Sequence, residues 1–163
     1  MTVRWKDSAW RWLPVSLLLV LADQASKAWI EARYLLGEFT AVFFWLDITR
    51  LHNPGAAFSF LADAGGWQRH FLSVLAAGVS VGIIVWMRQL HAQRDLLLSA
   101  ALALVLSGAI GNLIDRLEHG YVVDFIHLHW QGAYFPAFNV ADAAITCGAA
   151  LLILDAIRDL RRR

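Results

Sequence analysis

Four apolar stretches decide what this chain can become. Phe71 to Met87 and Leu96 to Ile114 carry no charge; Leu13 to Ile30 is apolar apart from Asp23, Gln24 and Lys27, and Phe138 to Ile157 apart from Asn139, Asp142 and Asp155. A membrane-spanning helix needs about 20 mostly apolar residues, so each stretch reads as a transmembrane helix. Composition agrees: 59% of the residues are hydrophobic and only 17% charged, more apolar surface than a soluble chain of this length can hide. The expectation is a mainly α, integral membrane fold, one domain over 1–163, with helices over about 13–30, 69–88, 96–114 and 138–157. Arg4, Lys6 and Arg11 ahead of the first span resemble the start of a cleaved signal peptide. No small-x-small cleavage site follows it and three more spans do, so it reads as an uncleaved first helix.

The lysines and arginines orient the bundle. Arg4, Lys6 and Arg11 precede the first span, Arg88 and Arg94 join the second to the third, and Arg158, Arg161, Arg162 and Arg163 end the chain. With four helices these segments share one side, which the positive-inside rule makes cytoplasmic. Cations at helix ends, rather than along a stripe, argue against nucleic-acid binding. Trp5, Trp10, Trp12 and Trp86 then mark the inner interface, and Trp29, Trp45, Trp67 and Trp130 the outer one. The β-branched and aromatic run 39–51, closed by Asn53-Pro54-Gly55, predicts a small extracytoplasmic sheet between the first and second helices; Tyr121 to Leu128 is a second strand-like run. Cys147, the only cysteine, reads as a packing residue.

Charges inside spans are costly and usually face a bundle interior or a wet cavity. Asp23 and Lys27 share a face of the first helix at i, i+4. Asn112, Asp115 and Arg116 stand at the outer end of the third span, and Asn139 and Asp142 at the outer start of the fourth. Three helices thus bring polar groups to one depth. Each residue also has a plainer reading: Lys27 pairs with Asp23, Asn139 caps a helix, and Arg116 anchors an interface. Asp124, in Val122-Val123-Asp124-Phe125-Ile126, and Asp142 both have apolar neighbours. Two such carboxyls, if brought together, share a proton; one activates water while the other serves as an acid. No His-Glu-x-x-His zinc motif, phosphate loop or nucleophile triad competes, and His127 and His129 have no third ligand.

Five blocks, in order, resemble the lipoprotein signal peptidases (signal peptidase II). They are Asp23 and Lys27 in ADQASKAWI, Asn53 to Ser59 in NPGAAFSF, GAIGNLIDR from Gly108 to Arg116, VVDF from Val122 to Phe125, and Phe138-Asn139-Val140-Ala141-Asp142. The resemblance implies a membrane aspartic endopeptidase that cleaves bacterial prolipoproteins just before a diacylglyceryl-modified cysteine. It makes Asp124 and Asp142 catalytic. Asp23, Lys27, Asn53, Gly55, Gly108, Asn112, Arg116, Asn139 and Ala141 become substrate-binding or supporting residues, with Gly55 and Gly108 permitting close backbone approach. Prolipoproteins and membrane lipids are the expected partners, and no cofactor or metal is expected. The expected place is the bacterial inner membrane, with the site near the outer face, and nothing demands more than a monomer. Two other readings remain: a proton-conducting transporter, opposed because the inner halves of the spans offer almost no polar continuation, with Asp155 alone near the inner end, and a structural subunit whose polar cluster serves assembly alone.

Overall fold

The computed structural model describes residues 3–55 and 66–162. Four helices, α1 (Leu13–Arg33), α2 (Trp67–Gln89), α3 (Leu96–Glu118) and α4 (Val140–Arg162), are joined by two strand pairs, β1 (Phe39–Phe43) and β2 (Leu46–Asn53) between α1 and α2, and β3 (Val122–Trp130) and β4 (Ala133–Tyr134) between α3 and α4. All four helices are long and apolar enough to cross a membrane. Their outward residues, such as Leu17, Leu18, Val74, Val81 and Ile153, are exposed, which suits lipid rather than water.

The helices exceed the apolar runs that announced them. α3 continues past Ile114 to Glu118 because Asp115 and Arg116 find buried partners and need not leave the helix. α4 begins at Val140, since Asn139 accepts the Asp142 N–H and ends the preceding loop as a cap.

α3 is the central helix. Over its apolar window 56% of the residues are buried, against 28%, 22% and 17% for the first, second and fourth spans. Its contact with α4 is the tightest in the bundle. A Cβ on Gly108 would strike the Ala141 carbonyl and Ile145, and one on Gly148 would lie 2.8 Å from the Ala101 carbonyl oxygen. Without a hydrophobic drive between helices in lipid, small residues supply the packing. At the end away from the sheet, Trp10 donates to the Ile84 carbonyl (2.8 Å), and Ala9, Ile83, Met87, Leu102 and Leu106 form a dry cluster.

The sheet draws on two connections, not only the one between the first two helices. Its order is β1-β2-β3-β4, all antiparallel. A register shift between Ile48 and Leu51 sets Leu51 opposite Asp124, His52 opposite Val123 and Asn53 opposite Val122. Strand alternation therefore gives Asn53 and Asp124 one face and His52 and Val123 the other. Ile30, Val123 and Phe125 pin the second face to α1.

Candidate active site

The site rests on an ion-pair hub between α1 and α3. Lys27, 2% exposed, has three N–H donors, and three acceptors surround its Nζ: Asp23 Oδ2 at 2.7 Å, Asp115 Oδ2 at 2.9 Å and Asn112 Oδ1 at 3.1 Å. The carboxylates are tied further. Asp23 Oδ1 accepts the Ala141 N–H (2.8 Å), one of the free donors in the first turn of α4. Asp115 accepts the Val123 N–H (3.1 Å) and Gln24 Nε2 (2.9 Å). One buried cluster thus fixes α1, α3, the start of β3 and the start of α4 against each other. Burying an ion pair costs desolvation unless the remaining hydrogen-bonding positions are filled, and here backbone donors fill them.

Three asparagines carry the order from this hub to two further carboxylates. Asn112 receives Lys27 on its Oδ1, so its Nδ2 points to Asp142 Oδ1, 2.7 Å away. Asn139 receives the Asp142 N–H on its Oδ1 (2.8 Å), so its Nδ2 points to Asp124 Oδ1, also at 2.7 Å. Asn53 receives the Gly55 N–H on its Oδ1 (3.0 Å), so its Nδ2 points to Asp124 Oδ2 at 3.0 Å. An amide end facing an obligate donor must be oxygen, so each orientation follows from chemistry. Asp124 and Asp142 are both held by asparagine amides, and Asn139 bridges the two through its side chain.

Their surroundings differ. Asp124 is 3% exposed. Burial, and next the charge of Asp142, raise its carboxyl to about 7 against the opposing hydrogen bonds from Asn53 and Asn139. Asp142 instead lines a cleft of about 630 Å³ between α2 and α4, floored by α3. Asn53, Asn112 and Arg116 join it at the polar end, while Leu72, Leu75, Val79 and Ile145 are among the apolar walls. Arg116 donates to the Gly55 carbonyl (2.9 Å) and the Asn112 carbonyl (3.1 Å); its buried Nε has no acceptor among the described residues.

Asp23, Lys27, Asn53, Gly55, Asn112, Arg116, Asn139, Ala141, Asp124 and Asp142 therefore fall within one connected network, and Gly108 packs directly beneath Ala141. Ala56 to Ser59, in the second block, lie outside the described residues. Asp115, Gln24 and Gly111 were absent from the expected set yet belong to it: a Cβ on Gly111 would lie 2.6 Å from Asp23 Oδ2. Their signal was the i, i+1 placement of Gln24 beside Asp23 and the Gly-x-x-Gly spacing of Gly108 and Gly111. His127 stands apart, 3.5 Å from Asp47 and stacked on Tyr134. Among the described residues, no three His, Cys, Asp or Glu side chains form a group that could hold a metal ion.

Comparison with known proteins agrees on one family. The model of signal peptidase (SPase) II matches residues 15–158. The lipoprotein signal peptidase of Shewanella woodyi is 50% identical over 96% of this chain and 89% of its own length. That of Shewanella amazonensis is 48% identical over 97% and 94%. Two solved structures described as bacterial membrane enzymes superpose with TM-scores of 0.84 and 0.78. The first is 30% identical and covers 94% of this chain and 91% of its own; the second is 31% identical and covers 91% and 94%.

Proposed function

Because the chain belongs to the signal peptidase II family, we propose that Asp124 and Asp142 are the catalytic pair with which this peptidase cleaves the signal peptide from prolipoproteins, just before the lipid-modified cysteine. The observation that carries this reading is the asparagine-linked pair itself: one carboxyl on the cleft wall, the other buried behind it. Asymmetric surroundings divide acid from base. Asp142, open to the cleft, takes a proton from water as the water oxygen bonds to the scissile carbonyl carbon. Asp124, protonated, gives its proton to the carbonyl oxygen. In the collapse of the tetrahedral intermediate Asp142 passes its proton to the leaving nitrogen, the C–N bond breaks, and Asp124 recovers its proton from the hydroxyl.

The apolar cleft suits the hydrophobic segment of a signal peptide arriving from the bilayer, with the scissile bond at the polar end. Arg116, a cation at the polar end of the cleft, suits a substrate carbonyl. The lysine and arginine distribution supports cytoplasmic termini, hence a site at the outer face of a bacterial inner membrane, in a monomer that needs only its substrate and lipid.

Processing of a lipidated prolipoprotein by purified variants tests the reading. Asp124→Asn and Asp142→Asn should each lower kcat by on the order of a thousand-fold or more while thermal unfolding in detergent stays near wild type. Val79→Trp, which narrows the cleft, should raise KM. Near-normal cleavage by either aspartate variant would sink the assignment.

A further inference from the structure

The second face of the sheet carries a group that the chemistry above does not use. His52 lies next to Asn53 on β2, and its ring stacks on Tyr121 with ring centroids 3.7 Å apart and 14° between planes. Tyr121 lies two residues before Val123, the register partner of His52, which is the diagonal position where long side chains meet on a sheet face. Tyr121 itself packs against the cluster of Ile30, Val123 and Phe125 and stacks on His119 at 5.7 Å. A rigid wall thus stands behind β2 at the point where Asn53 projects from the opposite face to meet Asp124.

We propose that the His52–Tyr121 stack is a positioning device for the proposed dyad, fixing the end of β2 so that Asn53 holds its amide against Asp124. Asn53 is the last residue of that strand, directly before Pro54. Its amide meets Asp124 Oδ2 on one side and the Gly55 N–H on the other. Both contacts depend on the strand's rotation about its own axis, and a flat stack on the adjacent residue resists that rotation. The groups facing His52 keep its ring uncharged. Burial comes first in lowering its pKa, followed by Arg50; Glu31, which pairs with Arg50 at 3.0 Å, opposes them, and His119 adds to them. The buried Nε2 has no acceptor among the described residues, so a proton there would be left unpaired. A neutral imidazole that makes no Nε2 hydrogen bond suits a packing role better than a proton-transfer role.

This inference rests on Asp124 being catalytic, and it fails separately from that reading. His52→Ala and Tyr121→Ala should lower kcat about ten-fold to a hundred-fold, the range for a small misplacement of a catalytic group, with KM for a lipidated prolipoprotein little changed. Tyr121→Phe, which keeps the ring, should restore most of the kcat lost in Tyr121→Ala. The decisive readout is coupling. If His52 acts through Asn53, the double variant His52→Ala/Asn53→Ala is no slower than Asn53→Ala alone. The alkaline limb of kcat/KM also moves to higher pH in His52→Ala, because Asp124 loses a donor that favours its ionised form. Multiplicative losses in the double variant, or an unmoved limb, overturn the proposal even if Asp124→Asn is inactive. If Asp124→Asn is active, it is the dyad that falls.

Discussion

An asparagine side chain has one donating and one accepting end, and its neighbours decide which faces where. Asn53, Asn112 and Asn139 each meet an obligate donor, respectively the Gly55 N–H, Lys27 and the Asp142 N–H. Each therefore turns its NH2 to a carboxylate, and the two amides that reach Asp124 lower its proton affinity. For Asp124 this pull is outweighed by burial and by Asp142, leaving it at about 7. The proposed mechanism needs Asp124 protonated and Asp142 ionised, so activity should decline as pH rises through about 7, and should fall again in acid once Asp142 takes up a proton. Asn53→Ala removes one opposing hydrogen bond, raises the carboxyl further, and should move the descending limb of kcat/KM to higher pH, as read from a pH series on the free enzyme. The same sign governs stability: the neutral buried carboxyl favours folding at low pH, and that contribution is lost as pH climbs through the folded value. Asp124, Asp142 and Asn139 were legible in the sequence as polar residues in apolar settings. Asp115 was visible as a charge, yet its service to Lys27, Gln24 and the Val123 N–H was not, because those partners come from two other elements, α1 and β3.

At the scale of elements, the α3–α4 contact carries the site. Ala141 must donate to Asp23 and Asp142 must reach Asn112, which requires the two helices to touch along their backbones. Gly108 and Gly148 permit this. Gly148→Val should destabilise the protein by about 1–3 kcal/mol or more through overpacking, seen as a lowered Tm in detergent with parallel loss of activity. Gly78 and Gly82 on α2 have nothing within 4 Å of a Cβ, so Gly78→Ala should be neutral or stabilise by up to about 1 kcal/mol through helix propensity. An unchanged Tm for Gly148→Val would show that the bundle does not depend on this close approach. The helices themselves were readable from apolar runs, but their ends were not. Hydropathy falls at the first polar residue, whereas the helix stops only where its backbone loses partners, so α3 continues through Asp115 and Arg116 to Glu118. The strand pattern of 39–51 was equally readable. The sheet's second half was harder to place, since β3 joins β2 across the whole of α2 and α3.

For the whole molecule, the sheet and the carboxylates occupy one end, and the Trp10 and Met87 cluster lies at the other. The proposed orientation makes the first end extracytoplasmic. In a Cys147→Ser background, Ala133→Cys in β4 should react with a membrane-impermeant maleimide on intact spheroplasts, whereas Leu160→Cys near the chain end should react only after permeabilisation. The reverse pattern would invert the topology and put the site at the cytoplasmic face. What the sequence determined by itself is the membrane as solvent, the number of spans, and the depth at which polar residues gather. These follow from hydrophobicity and helical period, which are local and add along the chain. Tertiary structure alone decided that α3 is the centre, that Lys27 is saturated by three acceptors, and that Asp142 faces the cleft while Asp124 is covered. Those outcomes depend on which distant groups packing brings within hydrogen-bond reach, and on which carboxyl it closes off from water.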